Sequence, residues 1–223
     1  KFEMLKKAFE TAKEKNLLLY DIMTERFEKT SILQRELAMI PEIFGTLEKG
    51  TVGNPAVVME SGHNFYKYIS GNVVIRPGWF MDATQQGQGI VDVTTHLVDL
   101  VQWECFPEQN LDYTKDIIVD NARRWPTIMT NTQIKTITKL DYIPSYLDKN
   151  KKNDTTIQVW SNGEINYAIK GVHAKVSVVW EYQTSSGSDT HYSLMRGSKA
   201  NLVILQGADQ QYKATLFIEP VNN

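Results

Sequence analysis

A single cysteine, Cys105, among 223 residues excludes an internal disulfide framework and a multi-cysteine zinc site. It leaves the compartment open between cytoplasm and periplasm. The formal net charge is only -2, so electrostatics give no reason to expect nucleic acid or an anionic membrane as a partner. No run of about 18 apolar residues occurs, which excludes a membrane-spanning helix. The chain has no initiator Met, no signal-peptide pattern, no internal repeat and no low-complexity tract. What it has is apolar content: 42% hydrophobic residues, enough for a real core and too many for disorder.

The first fifteen residues predict an amphipathic helix, with Phe2, Leu5, Phe9 and Ala12 at three- and four-residue spacing. Nothing caps its start, so the boundary reads as a cut end or a processed precursor. Leu17 to Tyr20 then reads as a short strand buried on both faces, the kind found in parallel sheets. Together these resemble the last helix and strand of an α/β unit whose earlier repeats are missing. A second helix is predicted from Thr24, with Phe27, Ile32, Leu33, Leu37, Ile40 and Ile43 as its apolar side and Gly45 as its stop.

From Pro55 the texture changes. Residues 56–59, 65–69 and 72–75 are strand candidates, and residues 89–103 form a third, largely apolar helix. A strand over 116–120, a short helix over 132–139 and a charged connection over 148–154 follow. Residues 156–160 and 164–169 read as strands joined by a hairpin turn at Ser161-Asn162-Gly163, because Asn-Gly tolerates positive φ. Residues 174–182 alternate cleanly, with Val176, Val178 and Trp180 on one face and Lys175, Ser177, Val179 and Glu181 on the other. Three more strands, 191–196, 202–206 and 214–219, complete an α+β fold. Its centre is a large, open, predominantly antiparallel sheet with helices on one face.

Chemistry concentrates on the third helix. Asp92, His96, Asp99 and Trp103 fall at i, i+4, i+7 and i+11, one stripe of a helix. Burying two carboxylates and an imidazole costs several kcal/mol unless they pair or work. An Asp one turn from a His can fix its tautomer and raise its basicity, as a general acid–base requires. The same spacing also suits a self-satisfied pair that staples the helix. A metal is a third reading, with no third ligand visible nearby.

The segment Gly87-x-Gly89-x-x-Asp92-x-x-x-His96-x-x-Asp99 resembles a motif of the glucose–fructose oxidoreductase and inositol dehydrogenase (Gfo/Idh/MocA) family, with Gln88 interrupting the family's glycine pair. Three other stretches resemble the same family. The opening helix with LLLYDIMTERF is similar to its last Rossmann helix, strand and crossover. Arg76-Pro-Gly-Trp79 is similar to a substrate-pocket stretch. Met195-Arg-Gly-Ser-Lys-Ala200 is similar to a late strand–turn–strand element. The resemblance implies residues 1–23 as a remnant of a dinucleotide-binding domain and 24–223 as a C-terminal substrate-binding and oligomerisation domain. It also implies hydride transfer between a secondary alcohol of a sugar or cyclitol and NAD or NADP. His96 would be the acid–base with Asp92, and Asp99, Trp79, Arg76 and Arg26 would bind substrate. The family's Glu-Lys-Pro motif is absent, as is the G-x-G-x-x-G turn that holds a pyrophosphate. No cofactor-binding residue and no metal ligand is therefore assigned, and this chain alone is expected to be inactive and to bind no dinucleotide tightly.

Other residues carry two readings each. His63 contacts a sugar or is an exposed turn residue, and Arg26 enters the pocket or makes a surface salt bridge. Trp79 and Trp125 stack on a sugar ring or sit in the core. Arg123 and Arg124, adjacent in a strand, point to opposite faces. His173, His191 and Tyr192 read as sheet-surface residues. The competing function is a non-catalytic carbohydrate-binding or oligomerisation module of the same fold. On either reading the sheet is expected to mediate self-association.

Overall fold

The computed structural model of the chain describes residues 2–20, 22–88 and 90–221. Gly89 of the glycine pair lies outside the described residues. So do Lys1 and Asp21 of the expected N-terminal remnant and the last two residues of the expected C-terminal domain.

Seven strands form one sheet: β1 (Val57–Asn64), β2 (Ile117–Thr130), β3 (Thr156–Ile169), β4 (Val172–Glu181), β5 (Thr190–Arg196), β6 (Ala200–Gln206) and β7 (Thr215–Pro220). Their spatial order is β7-β6-β5-β1-β4-β3-β2. All neighbours are antiparallel except β1 and β4, which run parallel with Met59 opposite Val176 and His63 opposite Trp180. Four helices accompany the sheet: α1 (Phe2–Glu14), α2 (Lys29–Ala38), α3 (Ile90–Cys105) and α4 (Asn131–Thr138). The mixed α+β architecture agrees with the sequence reading. No helix among the described residues is long and apolar enough to cross a membrane.

The alternation of β4 is as expected. Val176, Val178 and Trp180 are buried on the inner face, and Val179 is partly exposed on the outer one. Register carries that face across the sheet, so Val57, Met59, Met195 and Leu202 join the core beneath Leu97, Leu100 and Val101 of α3. The outer face is crossed by ion pairs: Arg123 to Glu164 at 3.2 Å, Glu164 to Lys175 at 3.4 Å, and Lys175 to Glu60 at 2.8 Å.

Three expectations are corrected. Residues 17–20 form no strand. Leu18 is 88% exposed, and no neighbouring strand among the described residues supplies the ladder that a parallel strand needs. The helix expected from Thr24 begins at Lys29, because Glu28 caps it by accepting from the Thr30 amide at 2.6 Å, while Thr24–Phe27 is a separate 3-10 turn. Its buried face is polar. Gln34 donates to the Leu202 carbonyl (3.0 Å) and accepts from the Ser193 hydroxyl (2.8 Å), while Phe27 is 81% exposed. Finally, Ser161-Asn162-Gly163 is no hairpin. β3 runs straight through it, and Asn162 is buried opposite a register shift at Trp125/Pro126.

Gly197, central in the strand–turn–strand element, sits where a Cβ would lie 2.2 Å from the Phe44 carbonyl oxygen and 2.7 Å from that of Ala200. Both obstacles are backbone, so Gly197→Ala forces the turn and the 44–47 loop apart. A loss of about 1–3 kcal/mol is expected. Urea unfolding checks it; an unchanged midpoint would show that the turn tolerates a methyl group.

Candidate active site

Asp92 and His96 of α3 line a polar cavity. The first half of the helix, with Asp92 and His96, lies over the end of the sheet where the inner face itself turns polar. One row of the register runs Ser61, His191 and Gln206 across β1, β5 and β6, and His63 and Trp180 form the next. Between helix and sheet lies a cavity of about 380 Å³. Ser61, His63, Asp92, His96, Asp189 and His191 are among its lining residues, together with Lys67, Arg76 and Trp180. Its size falls within the usual range for small-molecule sites, roughly 300–1,000 Å³. Asp92 and His96 also line a second, more open depression with Ile22, Met23 and Thr95, so they stand between the two.

The expected site residues are thus only partly brought together. Asp92, His96 and Arg76 share the cavity. Asp99 does not: Arg26 grips both its carboxylate oxygens from the 3-10 turn, through Nε at 2.7 Å and through the other guanidinium nitrogen. That is the salt-bridge reading of Arg26, and the pair lines a separate depression beside Trp103. Trp79 is 51% exposed and does not line the cavity. Trp125 is half-buried with Arg123 over its ring at 5.0 Å. Arg123 and Arg124 point to opposite faces, as expected: one reaches Glu164, the other Gln88.

His96 is not stapled to Asp92. No hydrogen bond joins them, and His96 Nδ1 is buried without a hydrogen-bond partner among the described residues. The self-satisfied pair is therefore not formed. Arg76 lies over the Phe80 ring at 4.9 Å and the Trp180 ring at 5.3 Å. Burial lowers its pKa, opposed by the charges of Asp92 and Asp189. Among the described residues no group of three or more His, Cys, Asp or Glu is placed to hold a metal ion.

Sequence reasoning missed most of the sheet's contribution. His191, read as surface, faces the cavity. His63 is neither exposed nor isolated: Nδ1 lies 3.1 Å from Asp189 and Nε2 lies 2.6 Å from Ser61 Oγ. Asp189 was not singled out at all, since it sits in a polar loop 126 residues further along the chain. Burial works to raise the Asp189 pKa, but hydrogen bonds from His63 and Lys67 outweigh it and hold the carboxyl far below the ordinary range. His191 is lowered to about 4 by burial and then by the charge of His63, against a smaller opposing effect of Glu28.

These two groups predict stability in separate pH windows. A histidine lowered from 6.5 to about 4 is neutral in the folded chain and takes a proton first when unfolded. Its contribution, on the order of 3 kcal/mol, is complete above pH about 6.5 and is lost as pH falls to about 4. The depressed Asp189 acts lower, losing its contribution as pH falls below about 4. Urea midpoints at pH 7 and pH 5 should therefore differ less in His191→Gln than in the parent chain. Equal pH dependence in both would remove His191 as the cause.

A family model described as "Putative oxidoreductase C terminal domain" matches residues 33–223. The chain belongs to this oxidoreductase C-terminal domain family. A "putative oxidoreductase" of Parabacteroides merdae is 52% identical, with a TM-score of 0.93 over 99% of this chain and 50% of that one. The oxidoreductase domain thus spans about half the length of that protein. Levoglucosan dehydrogenase in complex with NADH and L-sorbose shares the fold at 12% identity and a TM-score of 0.50, over 96% of this chain and 49% of that one. So does the transcriptional regulator Gal80p of Kluyveromyces lactis, at 12% identity and 0.54, over 96% and 47%. Among curated proteins, none matches. The neighbours include dehydrogenases of the Gfo/Idh/MocA type, as the sequence resemblance implied.

Proposed function

We propose that this domain is the substrate-facing part of an NAD(P)-dependent oxidoreductase that acts on a secondary alcohol of a sugar or cyclitol, with His96 as the acid–base. The observation that carries the reading is the cavity itself. His96 on α3, whose Nδ1 has no hydrogen-bond partner among the described residues, lines it together with neutral and charged donors and acceptors on the sheet. A mixed lining of this kind suits a neutral ligand rich in hydroxyls better than an apolar one or a polyanion. Bound nicotinamide would supply the hydride acceptor. The domain's own residues would hold the alcohol, and His96 would take the hydroxyl proton at its imidazole nitrogen. Asp92, one turn away, lines the same cavity.

The same reading gives residues 1–23 to the cofactor-binding domain. Phe2, Leu5 and Phe9 of α1 and all four residues 17–20 are exposed, an apolar surface suited to contact with the rest of such a domain. No glycine-rich phosphate turn lies in the chain, so the dinucleotide would be held elsewhere. Self-association would use the outer face of the sheet, where the Arg123–Glu164–Lys175–Glu60 series lies. The non-catalytic alternative finds a fold-level parallel in Gal80p but leaves unexplained a His96 Nδ1 with no hydrogen-bond partner among the described residues.

Two measurements test the proposal. Titrating this chain with NADH should leave nicotinamide fluorescence unchanged, and a micromolar dissociation constant would overturn the domain assignment. The full-length protein, given NAD+ or NADP+ and a panel of sugars and cyclitols, should produce absorbance at 340 nm. If the reading is right, deuterium on the carbinol carbon slows it. No turnover of any ring polyol with either cofactor would sink the proposal.

A further inference from the structure

The sheet side of the cavity carries a hydrogen-bonded series that the helix motif does not include. Lys67 Nζ donates to Asp189 Oδ2, and the same oxygen meets His63 Nδ1 at 3.1 Å. His63 Nε2 meets Ser61 Oγ at 2.6 Å, and Ser61 Oγ reaches the Thr190 carbonyl at 3.3 Å. The other carboxylate oxygen, Asp189 Oδ1, accepts from the Asn64 amide (3.1 Å) and side chain (3.3 Å), so the carboxylate is fixed from both ends. The Trp180 ring lies against the imidazole, with centroids 4.9 Å apart.

This clamp has a chemical consequence. An anionic Asp189 accepts from Nδ1–H, so Nε2 is the nitrogen turned to Ser61. With the imidazole neutral, the Ser61 hydroxyl donates to Nε2. With it protonated, Nε2–H donates to Ser61 Oγ, whose hydrogen turns to the Thr190 carbonyl. Both ring nitrogens are therefore engaged, and the ring is held in place from both sides. The order Ser, His, Asp matches that of a serine nucleophile. Ser61, however, is paired with strands on both sides, to Val178 and His191. Amides engaged in a ladder cannot turn into the cavity as oxyanion donors, so acyl transfer is not the use of this series.

We propose that Ser61, His63 and Asp189 form a substrate-positioning relay that grips a second hydroxyl of a ring polyol while His96 attends the reacting one. Ser61 Oγ, which keeps an acceptor lone pair while bonded to His63 Nε2, takes the ligand hydroxyl, and His63 and Asp189, fixed by Lys67 and Asn64, act through it. The assignment rests on the reading of the cavity given above and deepens it: the substrate presents two hydroxyls to one cavity, and a mono-ol binds weakly.

The chain has four histidines, so imidazole NMR signals can be assigned by single substitution. Titration with myo-inositol should shift the signals of His63 and His96 together, whereas cyclohexanol should bind at least about tenfold more weakly. Ser61→Ala and His63→Gln should each weaken myo-inositol by a similar factor. Asp189→Asn should move the His63 Nδ1–H resonance and weaken binding, and Asp189→Glu should restore part of both. Parental affinity in Ser61→Ala and His63→Gln, with His96 still shifting, would overturn the relay and leave the broader reading standing. Shifts at neither histidine would overturn both.

Discussion

His96→Ala in the full-length oxidoreductase is expected to lower turnover by about 10²–10⁴-fold, the usual scale for losing a general acid–base. Melting temperature and cofactor affinity should change little. The structure sharpens this expectation, because His96 Nδ1 has no hydrogen-bond partner among the described residues and no bond ties the ring to Asp92. Truncating the side chain therefore breaks no buried hydrogen bond at that nitrogen, and a stability loss within about 1 kcal/mol is anticipated. A structural histidine would behave the other way, losing stability and keeping turnover per folded molecule. Asp92→Asn should cost less, since no hydrogen bond joins that carboxylate to the ring and its charge acts on Arg76 through space. Turnover measured beside melting temperature separates the cases. A stably folded His96→Ala variant with unchanged turnover would end the catalytic assignment.

Asn162→Ala should cost about 2–4 kcal/mol, far more than a turn asparagine could. The side chain is buried in β3 and bridges three strands. Its Oδ1 accepts from the Trp180 amide in β4. Its Nδ2 donates to the Trp125 carbonyl (3.1 Å) and the Thr127 hydroxyl (3.0 Å) in β2. Those bonds lie where the β2–β3 register slips between Trp125 and Pro126, and Pro126 has no N–H to offer the ladder. Alanine leaves a buried amide and a buried carbonyl unmatched. The effect should reach the cavity as well, because Trp180 carries His63 on its ring. Urea unfolding at neutral pH gives the first number, and myo-inositol affinity gives the second. A loss below about 0.5 kcal/mol would mean that Asn162 is as dispensable as an exposed turn residue.

Wherever a residue's role depends on its own segment, the sequence was legible. The period of α3 placed Asp92 and His96 on one stripe. The alternation of β4 assigned Val176, Val178 and Trp180 to the core, and adjacency alone sent Arg123 and Arg124 to opposite faces. The motif around His96 led to the right family. What failed depended on partners distant in the chain. Asn-Gly is a good hairpin signal, but a register shift that leaves Ser161 of β3 unpaired against β2 supplied a buried place for Asn162 that no local pattern announces. Leu17 to Tyr20 has the composition of a buried strand, yet no neighbouring strand among the described residues lies beside it. His191 was unreadable because β5 buries Leu194 on one face and Met195 on the other, so alternation there cannot say which face is inside. The parallel insertion of β1 between β4 and β5 decided that question. It brings Ser61 and His63 to the helix-covered face and places His191 beside them. Asp189 arrives from a loop over a hundred residues away. Local periodicity tells which way a side chain points relative to its own backbone; only strand order and register determine what stands opposite it.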